Sequence, residues 1–191
     1  MDKQTEEILQ KIEEAEYVLV GLGQEFDMEF FLQSREDYRR IREQLQQQNV
    51  LWLLPYVEEH FRRQYLPEME AEIEKGLQKL AEVLEKKSYF VVSSSLNHKL
   101  AEVPWKKMLL KKERFVAPCG DWTKKQCPDG CEEGIQTVTE ADEEQLQESF
   151  KKLQTNGFSV PDLGKCPKCG KKLVLNNVYA GRYDEKGYLK T

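Results

Sequence analysis

The chain has 191 residues, is 39% hydrophobic and 33% charged, and carries a net charge of −5. That length supports one hydrophobic core with a small attached lobe, and the acidic balance argues against nucleic acid as a main partner, because phosphate binding calls for a basic face. The longest apolar stretch, Val50 to Val57, is broken by Pro55 and too short to span a bilayer, and no apolar run follows Met-Asp-Lys-Gln-Thr-Glu-Glu, so neither a membrane span nor a secretory signal is expected and the chain reads as cytoplasmic.

In chain order, residues 2 to 16 read as a helix with Ile8, Ile12 and Ala15 on one face. Tyr17-Val-Leu-Val-Gly21 is a short apolar run ending in glycine, as in a buried parallel strand, and Gly21-Leu-Gly23 opens a loop. Ser34 is placed to cap a helix over about 35 to 48, with Asp37 as its reciprocal partner. A further helix covers about 68 to 86, with Pro67 in its first turn and Met69, Ile73, Leu77, Leu80 and Leu84 as its apolar stripe. Ser88-Tyr-Phe-Val-Val92 is a second strand, running into Ser93-Ser94-Ser95-Leu96-Asn97-His98, and Phe115-Val116-Ala117 a third, stopped by Pro118. Strands alternating with helices in this order predict an open parallel α/β sheet of Rossmann-like type. Ligands of such sheets bind beyond the carboxyl ends of the strands. That places 21–26, 93–98 and 118–121 around one crevice.

All five cysteines lie between Cys119 and Cys169. In a reduced compartment, clustered cysteines point to metal rather than disulfides. Cys127-Pro-Asp-Gly-Cys131 and Cys166-Pro-Lys-Cys169-Gly170 each read as a tight knuckle aiming two sulfurs at one ion, with Pro and Gly supplying the turn. Tetrahedral Cys₄ zinc follows, a closed structural site with no open position for chemistry; an iron–sulfur or redox pair is the rival. The cysteine segment, about 119 to 172, reads as a zinc-ribbon lobe inserted after residues 1–118, with 173–191 returning to the parallel sheet. Thr139 can cap a short helix inside it carrying Leu146, Phe150 and Leu153, and Lys172-Leu-Val-Leu175 reads as a strand leaving it. Lysines at 106, 107, 111, 112, 165, 168, 171 and 172 read as solvated surface, those beside the thiolates also offsetting their charge.

A strand, a Gly-x-Gly loop, long helices, a strand with a polar loop, a short strand and a paired-cysteine ribbon together resemble the sirtuins. That resemblance implies NAD-dependent protein deacylation or ADP-ribosyl transfer on a Rossmann-like domain with a small zinc lobe. It matches Tyr17 to Gly23 to the family's first strand and cofactor loop, Phe90 to Asn97 to the strand before Thr-Gln-Asn-x-Asp, and Val116 to Gly120 to the segment ending in the catalytic His-Gly. Gly21, Gly23, Ser95 and Asn97 become the candidate cofactor residues, and Cys119 stands at the catalytic position. The departures are specific. Gln24 to Phe31 lacks the family's Pro-Asp pair and arginine, Ser95 and Asn97 stand for its Asn and Asp, Cys119 stands for its base histidine, and only about a dozen residues follow Tyr179, so the sheet is incomplete relative to sirtuins.

The sequence therefore predicts a chain that binds NAD or ADP-ribose, with deacylase or ADP-ribosyl chemistry reduced or lost and an acylated protein as the implied substrate. The alternative is a non-catalytic zinc-ribbon module docking a protein partner. His60 reads as a solvated surface residue, and His98 as a loop histidine or a displaced base. Free Cys119 reads as a buried small hydrophobe or a nucleophile, and Trp122 as a roof over the zinc lobe. Asp184 to Thr191 carries no helix stop or cap, as expected of a fragment of a longer chain.

Overall fold

A computed structural model describes residues 3–102, 114–131 and 134–189. After helix α1 (Lys3–Glu14), the apolar run at 17 forms β1 (Tyr17–Leu22), followed by a 3₁₀ turn at Gln24–Asp27 and the one-turn helix α2 (Glu29–Leu32). Helices α3 (Glu36–Gln47), α4 (Leu54–Tyr65) and α5 (Pro67–Leu84) lead to β2 (Ser88–Ser93), the short α6 (Lys99–Glu102) and β3 (Phe115–Val116). Strand β2 lies between β1 and β3 and both pairings are parallel, Tyr17 opposite Ser88 through Leu22 opposite Ser93, and Val91 opposite Phe115. The fold is therefore mixed α/β with a three-stranded parallel sheet. Gly21 lies inside β1 rather than opening the loop; the strand continues to Leu22, because the ladder with β2 runs on to Ser93.

A second sheet follows. Strand β4 (Gly120–Gln126) is its centre, flanked antiparallel by β5 (Gln136–Thr137) and β6 (Val174–Asn177), with helix α7 (Glu140–Gln154) between them and α8 (Lys186–Leu189) at the end. Gly120, at φ 70°, begins β4 where an added Cβ would run into the backbone of Asn176 and Asn177, so only glycine allows β6 so close. The segment 173–191, expected back in the parallel sheet, instead supplies β6 and α8 to this second sheet, since β6 finds its ladder partner in β4.

Two cores result. The smaller packs Leu77, Ala81 and Leu84 of α5 against Leu22, Val91 and Phe115 of the parallel sheet. The larger joins α3 (Tyr38, Ile41, Leu45) and α4 (Tyr56, Val57, Phe61) to Trp122, to Leu146, Phe150 and Leu153 of α7, and to Cys127 and Cys166. The expected boundary at 118/119 thus marks a change of sheet but not of core, because the cysteine-bearing sheet shares its core with α3 and α4.

Local capping follows the sequence in one place and not in another. Thr139 forms a capping box at the start of α7: its Oγ1 accepts the Asp142 N–H at 3.3 Å, and its own N–H donates to Asp142 Oδ2 at 2.8 Å. Ser34 does not cap α3. Its hydroxyl is taken by the carbonyl of Phe31 at 2.7 Å, at the end of α2, and Arg35 occupies the cap position while pairing with Asp37 at 3.0 Å.

Candidate functional site

The two knuckles converge. The Sγ atoms of Cys127, Cys131, Cys166 and Cys169 all lie within 4.8 Å of one another, with Cys127 and Cys169 at 3.5 Å and no disulfide among them. A tetrahedral ion with metal–sulfur bonds of about 2.3 Å sets its sulfurs roughly 3.8 Å apart, so this cluster can hold a metal ion such as zinc. Each knuckle is closed by backbone bonds: Gly130 N–H to Cys127 O at 3.0 Å and Gly170 N–H to Cys166 O at 2.8 Å, both glycines at positive φ. The ion pair of Lys171 with Asp129, 2.7 Å, ties one knuckle to the other. Without a cation the thiols compete. Burial works to raise the Cys127 thiol, but N–H groups of Cys131 and Asp129 and the neighbouring sulfurs hold it at about 7, while Cys127 and the other sulfurs push Cys131 up to about 12. A divalent ion removes that conflict by stabilising all four as thiolates. Lys165, Lys168, Lys171 and Lys172 are exposed around the knuckles; Lys106, Lys107, Lys111 and Lys112 lie outside the described residues.

The second candidate region is beyond the carboxyl ends of β1, β2 and β3. Parallel pairing ends β1 at Leu22 beside the end of β2 at Ser93, so residues 23–27 and 94–98 leave the sheet side by side. Asp27 stitches them together: its Oδ1 accepts the Leu96 N–H at 2.9 Å and the Ser95 hydroxyl, and all three groups are buried. Burial pushes the Asp27 carboxyl up, against the pull of Ser95 and Arg62. Asn97 is buried too; its Oδ1 accepts the Lys99 N–H at 3.2 Å and its amide reaches Phe26 O at 3.5 Å. Ser95 and Asn97 therefore hold the loop's shape with the polar atoms expected to face a ligand. Gly21 has open space above it, whereas a Cβ at Gly23 would overlap the carboxylate of Glu25, which also accepts the Gly23 N–H at 3.3 Å. Cys119 sits half-buried in the turn from β3 to β4, and burial, with the charge of Asp27, raises its thiol. A groove of about 290 Å³ opens between α5 and this loop, lined among others by Met28, Ile73, Leu77, Asn97, Lys99 and Leu100. Of the four expected cofactor residues, Asn97 alone lines it.

The charged residues of α4 escaped the sequence reading. Glu58, Glu59 and Arg62 are all buried, flanked by Val57 and Phe61 in the larger core. Arg62 pairs with Glu70 at 3.3 Å and donates to the carbonyl of Asp27 at 3.4 Å. Glu58 accepts the Tyr38 hydroxyl at 2.7 Å, and burial pushes its carboxyl up to about 7 against Tyr38 and Arg62. Glu59 goes the other way. Burial would raise it, but His98, the Trp122 indole N–H and Arg63 together hold it at about 2. The signal available in the sequence was the apolar run from Val50 to Val57 with Phe61 four residues further on, which leaves a helix there no wholly polar face for its acids.

His98 and Trp122 belong to the same cluster. His98 Nδ1 lies 2.8 Å from Glu59 Oε2, and its ring stands edge-on to Trp122 at 5.0 Å. Trp122 packs edge-on against Tyr56 of α4, in the same buried core as Cys127 and Cys166. His60 is not a solvated residue: its ring lies between Tyr56 and Phe150, 4.4 and 4.9 Å away, because α7 packs over that face of α4. Perturbed carboxylates, an imidazole and a basic side chain thus gather where the strands end, the kind of cluster that marks functional sites. Among the described residues no helix is long and apolar enough to cross a membrane. No family model and no curated protein matches this sequence.

Proposed function

We propose that the chain is a sirtuin-like protein that binds NAD or ADP-ribose at the carboxyl ends of the parallel strands, its four cysteines holding one structural zinc and its deacylase or ADP-ribosyl chemistry reduced. The observation that carries this reading is the side-by-side exit of residues 23–27 and 94–98 from β1 and β2, locked by Asp27 onto Ser95 and Leu96. Such strand ends are where open α/β sheets take nucleotides. The Gly23 N–H, now held by Glu25, is the backbone donor that a phosphate would take. Ser95 and Asn97 act by fixing the loop. The raised Cys119 thiol keeps its proton at neutral pH, which agrees with weakened base chemistry at that position.

Calorimetry with NAD and with ADP-ribose tests the reading. Heat of binding is expected with wild type and lost in Gly23→Val, whose side chain fills the approach to the Gly23 amide. Binding that survives Gly23→Val would move the pocket elsewhere. No heat from either ligand at millimolar concentration would leave the second reading, a zinc-ribbon module docking a protein partner, which the exposed lysines around the knuckles favour.

A further inference from the structure

Around Arg62, three carboxylates share two cations. Asp27 of the 3₁₀ turn, Glu58 of α4 and Glu70 of α5 face Arg62, and Lys99 is the second cation. Glu70 takes both: Arg62 Nε lies 3.3 Å from its Oε1, and Lys99 Nζ lies 3.1 Å from its Oε2. Arg62 also donates to the main-chain carbonyl of Asp27 at 3.4 Å, not to its carboxylate. The remaining charges nearby are balanced. Glu29 of α2 pairs with Arg42 of α3 at 3.2 Å, and Arg63 pairs with Glu59. Tyr38 of α3 and Tyr179 after β6 face Glu58 without bringing positive charge, and so does Cys119 beside Asp27. Among the described residues no ion pair reaches the carboxylate of Asp27 or of Glu58, although these residues are only 5% and 2% exposed.

A buried carboxylate with no cation against it is costly, and it keeps a proton instead. Hydrogen bonding decides which of the two does so. Asp27 accepts from the Ser95 hydroxyl and the Leu96 N–H, whereas Glu58 accepts from Tyr38 alone among the described residues. Burial pushes the Glu58 carboxyl up to about 7 against the pull of Tyr38 and Arg62, with Asp27 and Glu29 adding to the rise. The turn carrying Asp27 is also strained. Met28, the next residue, is buried at φ 56°, a left-handed conformation uncommon outside glycine.

We propose that this cluster is a proton switch: one proton held on Glu58 lets the turn at 24–28 lock onto the loop after β2, and losing that proton frees the turn. With Glu58 ionised, two buried anions flank an arginine already committed to Glu70. Glu58 is fixed in a helix of the larger core, so the strained turn carrying Asp27 is the part that moves away. The locked state binds one more proton than the free one. It is therefore fully favoured below 4.5, the ordinary value for glutamate, and is lost as pH rises through about 7. One consequence rests on the nucleotide reading above: ADP-ribose prefers the locked turn, so each pH unit above 7 weakens its binding by up to about tenfold.

Two measurements on the whole zinc-loaded chain test the switch without a ligand. They are hydrogen exchange, corrected for its intrinsic pH dependence, and carboxyl-¹³C NMR of glutamate-labelled protein. Between pH 6 and pH 8, protection of peptides covering 23–28 and 94–98 is expected to fall about tenfold in wild type, while α7 keeps its protection. One glutamate signal, missing from Glu58→Gln, should titrate near neutral pH. Glu58→Gln, close in shape and uncharged throughout, should stay protected at both pH values. Unchanged wild-type protection from pH 6 to 8 overturns the switch, whether or not the variant folds. A Glu58 signal already ionised at pH 6, or a loss of protection that persists in Glu58→Gln, overturns it too. Calorimetry with ADP-ribose then reads the consequence: wild type about tenfold weaker at pH 8 than at pH 6, Glu58→Gln equal at both. Equal wild-type affinities overturn the coupling to the nucleotide. No binding at either pH overturns the nucleotide reading, and hydrogen exchange still decides the switch.

Discussion

The cysteine-bearing sheet and the parallel sheet solve the same problem of burial differently. Around the former, α3, α4 and α7 close a core in which Leu45, Leu146, Leu153 and Leu163 are almost wholly buried, and the knuckles bring four thiols together at its edge. The parallel sheet is covered by α5 on one face only among the described residues. On the other, Tyr17 and Leu19 of β1 are 78% and 75% exposed, and Phe90 of β2 is 37% exposed. Parallel sheets are ordinarily buried on both faces. The closed half is the better buried of the two, and the half-covered sheet carries the strand ends at which we propose that a nucleotide binds. The buried charged residues of α4 join them, Glu59 accepting from Trp122 on one side and Arg62 donating to the Asp27 carbonyl on the other.

Removing the metal should separate the halves most sharply. Structural zinc in small Cys/His domains contributes about 10–16 kcal/mol of apparent binding energy that is also folding energy. Chelator or Cys166→Ser is therefore expected to release about one zinc per chain and to abolish the near-ultraviolet circular dichroism of the larger core. Iron in place of zinc, or unchanged stability in chelator, would contradict the assignment.

Core truncations give the next contrast. Leu146→Ala, in the closed half, should cost about 2–5 kcal/mol in denaturant melts, as buried leucines do. Leu19→Ala, on the open face, should cost less than about 0.5 kcal/mol, as exposed substitutions do. Equal losses would mean that the open face is covered in solution.

The buried acids of α4 make stability depend on pH with opposite signs. Glu58 is raised from 4.5 to about 7, so between those values the native state holds more protons than the unfolded chain and stability falls as pH rises. Glu58→Gln should flatten that slope, by up to about 3 kcal/mol across the window. Glu59, held at about 2, contributes stability that is full above pH 4.5 and lost as pH falls toward 2. Thermal melts from pH 2 to 8 on wild type and both glutamine variants separate the two.

The smallest effect concerns Glu25, whose carboxylate occupies the Gly23 amide. A phosphate there must displace it and meets a like charge, worth about 1 kcal/mol at 4 Å in water. Glu25→Ala should therefore bind ADP-ribose several-fold more tightly by calorimetry. Weaker binding would make Glu25 a ligand contact.

Much of this arrangement was legible in the sequence where one strong signal acted alone. An apolar run ending in glycine marked β1 and one running into polar residues marked β2, Pro67 and the leucine stripe marked α5, Thr139 marked the start of α7, and the knuckle spacing marked the cysteine cluster. Tertiary pairings of polar groups were not legible. Strand β4 reads Gly-Asp-Trp-Thr-Lys-Lys-Gln, with no apolar alternation to announce it. Lys125 is buried because it meets Asp142 at 2.7 Å and the Leu163 carbonyl at 2.8 Å, and β6 buries Asn176 and Asn177 through side-chain bonds to Gln126 and to the carbonyl of Trp52. Burial of Glu58 and Glu59 likewise depends on Tyr38, His98 and Trp122, which lie far from them in sequence.

Hydrogen exchange of the zinc-loaded chain, with and without saturating ADP-ribose, tests most directly the proposal that the strand ends, and not the cysteine-bearing half, receive the nucleotide. Slowed exchange is expected in peptides covering 21–27, 94–98 and 117–121, with the knuckles at 127–131 and 166–170 unchanged. Protection confined to the knuckles, or none at the strand ends while ADP-ribose is bound, would contradict it.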